Sequence, residues 1–152
     1  MEPKTIEFSN VYIERCDKET ENLLAEEGQS FLQNQIDYLK NNKNEFIYIE
    51  SNHFNQIGVD ALSLEVDDVF RNYDVMLGLK LPKKLEGPIK SFLDNELQGD
   101  ENKFDLMFDQ NDGLWNVNFT LNYTAGFQED MTFQEAFSMI YHFLAKLVNE
   151  IK

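Results

Sequence analysis

One cysteine and two histidines leave this chain few routes to covalent or metal chemistry. Cys16 lies between a segment of extended character and an acidic stretch. A nucleophilic thiol needs a cationic or helix-N-terminal setting that favours the thiolate. Asp17, Glu19 and Glu21 act against that, while Lys18 and the start of a following helix act for it, and the balance points to a partly buried structural thiol. His53, in Ser-Asn-His-Phe, reads as a loop residue, and His142 falls on the polar stripe of a C-terminal helix. Neither belongs to an HExxH pair. A single cysteine permits neither an intrachain disulfide nor a Cys-based zinc site.

Asp109, Asn111, Asp112 and Gly113 superficially suggest a calcium loop. An EF-hand needs an oxygen ligand at its fifth position and a glutamate at its twelfth. Counted from Asp109 these are Gly113 and Thr120, so a hairpin turn explains the run better. Asp60, Glu65, Asp67, Asp68 and Asp74 form an acidic cluster whose spacing fits no cation cage. It reads as a solvated face, and Asp60, Glu65, Asp67 and Asp68 become candidate partner-binding residues. Carboxylate pairs are so abundant that no particular pair stands out as acid and base. Neither GxGxxG nor GxxxxGK[ST] occurs. We therefore expect no catalytic, cofactor-binding or metal-binding residues.

The elements that would position these residues follow from hydrophobic periodicity. Thr5 to Ile13 is extended in character. From Thr20 to about Asn41, the residues Leu24, Phe31, Leu32, Gln35, Ile36 and Leu39 recur at spacings of three, four and seven, which predicts a long amphipathic helix with an acidic outer face. Glu45 to Glu50 is a short strand. Residues 56–66 alternate at Leu62, Leu64 and Val66 and favour a second strand, with helix left open as an alternative. Asp67-Asp68 suggests a turn, and Tyr73 to Leu81 is a clear strand ended by Pro82. Glu86 to about Leu97 reads as a helix burying Ile89, Phe92 and Leu93, with Pro88 in its first turn. Lys103–Phe108 and Leu114–Tyr123 alternate about an Asp112-Gly113 turn, the signature of a hairpin. The outward residues Asp105, Asn116, Asn118, Thr120 and Asn122 read as the wet face of an antiparallel sheet. Thr132-Phe-Gln-Glu135 is a capping box that opens a final helix.

The composition excludes several partners. The 152 residues carry 28 acidic and 13 basic side chains, for a net charge of −15, and only two of the bases are arginines. Residues 1–76 carry a net −10 and residues 77–152 a net −5, so a basic partner would favour the first half. Counterion release from nucleic acid needs clustered Lys and Arg, so neither nucleic acid nor an anionic membrane surface is an expected partner. Hydrophobic residues make up 42% of the chain, enough for a folded core. The N-terminal residues lack a signal-peptide pattern and no apolar run reaches membrane-spanning length, so the expected location is cytoplasmic.

The final helix is apolar around an unusually wide arc: Phe133, Phe137, Ile140, Leu144, Leu147 and Ile151, flanked by Ala136, Phe143 and Val148. A helix with one buried side needs a broad polar face. Its apolar excess is covered either by the chain's own fold or by another chain, and in the second case Phe137, Ile140 and Leu144 become partner-binding residues.

These elements make one α+β domain, residues 1–152. It has an antiparallel sheet of about five strands packed with three helices, in the order (β)-α-β-β-β-α-β-β-α. That order, the run NDGLWNVNFTLNY and the helix TFQEAFSMIYHFLAKLVNEI resemble the type III secretion chaperones over about residues 20–150. The resemblance implies an α+β sandwich, often dimeric, that binds a polypeptide without chemistry. The expected function is a non-enzymatic, chaperone-like protein-binding domain whose partner is another protein or a second copy. The alternative is an immunity or inhibitor protein that neutralises a basic enzyme such as a nuclease toxin. A small-molecule-binding domain or enzyme is a third reading.

Overall fold

The alternation of apolar and polar residues along the strands builds a single open seven-stranded sheet among the described residues. The computed structural model describes residues 6, 8, 10–98 and 104–151. Strands β1 (Tyr12–Asp17), β2 (Leu23–Glu27), β3 (Glu45–Glu50), β4 (Val59–Val66), β5 (Tyr73–Leu79), β6 (Phe104–Asp109) and β7 (Leu114–Thr120) run in the spatial order β2-β1-β3-β4-β5-β7-β6. Every neighbouring pair is antiparallel. The α-helices are α1 (Tyr38–Asn41), α2 (Asn52–Gln56), α3 (Glu86–Glu96) and α4 (Phe133–Ile151). The fold class is therefore α+β as expected, and the described residues form seven strands in place of about five and four α-helices in place of three.

Register assigns each residue to a face. One row across the sheet reads Ile13, Ile49, Leu62, Leu77 and Val117, all buried. The adjacent row on the opposite face reads Glu26, Glu14, Tyr48, Ser63, Met76, Asn118 and Asp105. The first face is covered by α4 and α3, whose Phe137, Ile140, Leu144, Ile89 and Leu93 join the core. The second face has no described helix over it.

The long helix expected over residues 20–41 does not form. Asp17 closes a tight turn: its carboxylate accepts the N–H groups of Glu19 and Thr20 at 2.8 and 3.0 Å, and its own N–H donates to Asn22 O at 2.8 Å. Glu21 takes a left-handed φ of 64° to complete it, and β2 then returns along β1. Farther on, Asn34 O accepts from Phe133 N, and Ile36 N donates to Met131 O at 2.9 Å each. These bonds tie residues 34–36 to the segment entering α4 and leave only a 3₁₀ turn, Gln29–Gln33, and the single turn of α1. Phe31, Leu32, Ile36 and Leu39 are buried, but Leu24 is on an exposed edge strand. Their spacing serves burial without a continuous helix.

Other differences are smaller. The first strand lies at Tyr12–Asp17, and most of its expected start, residues 5, 7 and 9, lies outside the described residues. Phe8 is buried, stacked on Phe54 at 5.8 Å. Residues 59–66 are strand, which settles the alternative left open there. The strand after Tyr73 ends at Leu79, and Leu121–Tyr123 is a 3₁₀ turn. His53 sits within α2 rather than in a loop.

The capping box of α4 forms in both directions. Thr132 N donates to Glu135 Oε1 at 3.0 Å, and Glu135 N donates to Thr132 Oγ1 at 3.1 Å. The apolar excess of α4 is met by the chain itself. Phe143 packs on Phe92 of α3 and Phe119 of β7 at 5.4 and 5.0 Å, and Tyr141 meets His53 and Phe54 edge-on. Removing the Phe137 ring would leave a cavity where the side chain is fully buried. Phe137→Ala is expected to cost about 3–5 kcal/mol, read from urea denaturation.

Candidate functional site

The β1–β3 register that buries Ile13 and Ile47 turns Glu14 and Tyr48 to the open side of the sheet. Glu26, Glu14, Glu50, Glu65, Asp74 and Asp105 stand on that face by the same alternation. Asp60 joins them near Gly78: a Cβ on Gly78 would lie 3.9 Å from that of Asp60 and 3.0 Å from Leu114 Cδ1. The bulge in β4 between Val59 and Leu62 carries Asp60 to this side. Arg15 points the other way. On the covered side it bonds Glu27 at 2.7 Å, both Glu45 oxygens at 3.2 Å and Tyr38 Oη at 3.1 Å. One of the chain's two arginines is therefore held away from the acidic face.

Two tyrosines on the open face donate to neighbouring carboxylates, Tyr12 to Glu14 and Tyr48 to Glu50, the latter at 2.6 Å. The hydrogen bond to Glu14 pushes the Tyr12 hydroxyl up to about 12, and burial followed by the Glu50 bond raises that of Tyr48. Both phenols stay protonated and donating at neutral pH.

The strongest concentration of charge lies where β4 and β5 leave the sheet. Glu65 and Asp74 are cross-strand partners, and Asp67 follows in the turn. Glu65, Asp74, Met76, Asp105, Asn118 and Thr120 line a shallow concavity of about 430 Å³. Burial, with Asp67 and Glu65 adding like-charge repulsion, raises the Asp74 carboxyl to about 6, while Lys18 and the Thr120 hydroxyl act in the opposite sense. Lys18 reaches in from the β1–β2 turn. Its ammonium donates to Val66 O and lies 3.2 Å from Asp68 and 3.4 Å from Glu65.

The sequence-derived candidates thus divide. Glu65, Asp67 and Asp68 come together at this end of the sheet, joined by Asp74. Asp60 lies toward the opposite end, beside Lys80, Asn55 and Asp112. Phe137, Ile140 and Leu144 are fully buried and belong to the core rather than to any exposed surface of this chain. Sequence reasoning missed Glu14, Glu26 and Glu50, because their shared face depends on strand pairing. For Glu26 the helical periodicity concealed a strand.

The remaining reactive groups are engaged otherwise. Cys16 is buried, and desolvation together with its bond toward Glu14 raises the thiol to about 11. His142 is half-buried with its ring 5.4 Å from Tyr141. The Asp109 carboxylate caps its own turn, accepting from Asn111 N and Asp112 N at 2.9 and 3.3 Å, and Gly113 supplies the required left-handed φ of 69°. Among the described residues, no group of three or more His, Cys, Asp or Glu is placed to hold a metal ion. No described helix is long and apolar enough to cross a membrane. What the open face can do chemically is accept hydrogen bonds and charge from lysine or arginine side chains.

Two outcomes follow. The folded Asp74 carboxyl keeps its proton up to about pH 6, against 3.8 as its ordinary value, so between these values the unfolded chain holds fewer protons. Stability therefore falls as pH rises through that window. Asp74→Asn is expected to stabilise the chain at pH 7.5 by about 1–2 kcal/mol, after allowing for partial solvation, and to have no effect below pH 4, as urea titrations at both pH values will show. Iodoacetamide at pH 8 should label Cys16 only after denaturation, as intact-mass measurement will show.

Compared with family models, with curated proteins and with solved structures, the chain matches none at a significant level, so its reading rests on the geometry of this acidic face.

Proposed function

We propose that this chain is a non-enzymatic protein-binding domain whose open sheet face covers a basic partner, in the manner of an immunity or inhibitor protein. The observation that carries the reading is the sorting of charge by strand register. Glu14, Glu26, Glu50, Glu65, Asp74 and Asp105 share the open face, while Arg15 is turned to the covered one. An isolated sheet face has no folding reason to collect like charges, because their repulsion disfavours the compact state. A cationic partner relieves that repulsion, and the long-range field speeds encounter. Lys18 and Lys80, at the two ends of the face, leave its centre negative.

A chaperone-like role, holding an extended segment of a partner, is supported by a different feature. β2 and β6 are the two edges of the sheet, with no further described strand paired outside them, and an edge can accept an added strand. Met107 on β6 is largely exposed and would provide an apolar contact there.

Salt separates the two. Affinity capture from the native host's lysate, eluted with stepwise salt, is expected to release a basic protein below about 0.5 M, because surface ion pairs are screened. Glu26→Lys, Glu50→Lys and Asp105→Lys together should abolish its retention. Reversal of three charges on the helical side, at Glu86, Glu129 and Glu150, should leave most of it. Retention that ignores both salt and the first set of reversals would defeat the charge reading and favour strand addition.

A further inference from the structure

We propose that the β4–β5 turn, Asp67 to Asn72, is the apolar anchor of the interface, with Val69 and Phe70 inserting into an apolar cleft on a basic protein. The inference rests on the acidic-face reading and names the contact that gives it specificity. Val69 and Phe70 are 76% and 77% exposed, and they sit side by side at the tip of the turn. Scattered surface hydrophobics need no explanation, whereas an adjacent aromatic and aliphatic pair on a projecting turn forms a patch.

The turn is held rigid. Phe70 N donates to the Asp67 carboxylate at 2.6 Å, Asp67 N donates to Asn72 O at 2.8 Å, and Arg71 N donates to Asp67 O at 2.9 Å. Arg71 takes a left-handed φ of 61°, which closes the loop. A side chain presented on a pre-formed turn loses little conformational freedom on docking. Lys18 fastens this turn to the β1–β2 hairpin through Asp68 and Val66 O. That hairpin leads into Leu23 and Leu24, 54% and 47% exposed, at the same end of the sheet. The arrangement is that of an interface hot spot, an aromatic anchor ringed by polar groups.

Charge selects the occupant. Asp67 and Asp68 in the turn and Glu65 and Asp74 beside it outnumber the two cations there, Arg71 and Lys18. A second copy docking through the same patch would bring two acidic rims together in chains of net charge −15. An anionic bilayer is repelled in the same way. A protein with a cationic rim around an apolar cleft meets both features.

The test replaces Phe70 by p-benzoylphenylalanine in the full chain, and in a parallel sample Tyr48, at the centre of the acidic face. Each is irradiated in the native host's lysate, and the captured protein is then purified. The expected result is a cross-link from position 70 to a basic protein whose Kd for the chain rises at least tenfold with V69S/F70S. The circular dichroism melt of that variant should match the parent, since both side chains are exposed. Cross-linking from position 48 alone, or an unchanged Kd for V69S/F70S, would overturn the anchor and leave the acidic-face reading standing. Cross-linking of position 70 to a second copy of this chain would also overturn it. Capture from neither position would overturn both.

Discussion

Burial of α4 against one face of the sheet is the contact from which the other arrangements in this molecule follow. Phe137, Ile140, Leu144 and Leu147 meet the inward rows of β1, β3, β4, β5 and β7 in one continuous core. Dispersion and hydrophobic burial reward every inward position of every strand at once, so the register of the sheet has little freedom to slip. A shift of one residue in any strand would carry its apolar set to the wet side. The same contact draws in the segment from Asn34 to Ile36, whose backbone bonds to residues 131–133 replace those of a helix.

Fixing the inward rows fixes the outward ones. Glu14 faces out because Ile13 faces in, and Arg15 faces in beside Glu45 and Tyr38 for the same reason. Strand alternation decides which face each residue takes, and the order of residues along the strands places these acids on the open one. Its consequence is an open face crowded with like charge, which adds to burial in holding the Asp74 carboxyl above its ordinary range. In the proposed reading this surface meets a cation-rich protein, and complementary charge is most effective where groups are already held in place.

The local features of the fold were legible in the residues. The Thr132–Glu135 capping box, the Asp112-Gly113 turn, the β5 alternation and the α3 stripe each depend on interactions within a few positions of one another. Residues 20–41 depend instead on distant partners. Phe31, Leu32, Ile36 and Leu39 keep helix-like spacing, yet an Asp17-capped turn and a backbone bridge from Gln35 to Thr132 impose another path. Periodicity reports which residues are buried, and it does not report which partner satisfies the backbone. The wide apolar face of α4 could be read as an excess, but what covered it could not.

By itself, the sequence determined composition, charge, the absence of familiar catalytic spacings, and the existence of the elements with strong local signals. It also marked Asp60, Glu65, Asp67, Asp68 and Asp74 as a group, because they are close along the chain, and the structure sets Asp60 apart from the others. Only the tertiary structure decided that α4 is enclosed by its own fold and that Glu14, Glu26 and Glu50 share a face with Asp105. The tertiary structure alone also leaves Val69 and Phe70 outside the core. The physical reason is the range of the interactions concerned. Caps and turns act over three or four residues, whereas a sheet face is assembled from strands that are distant in sequence and held in register by a common buried surface.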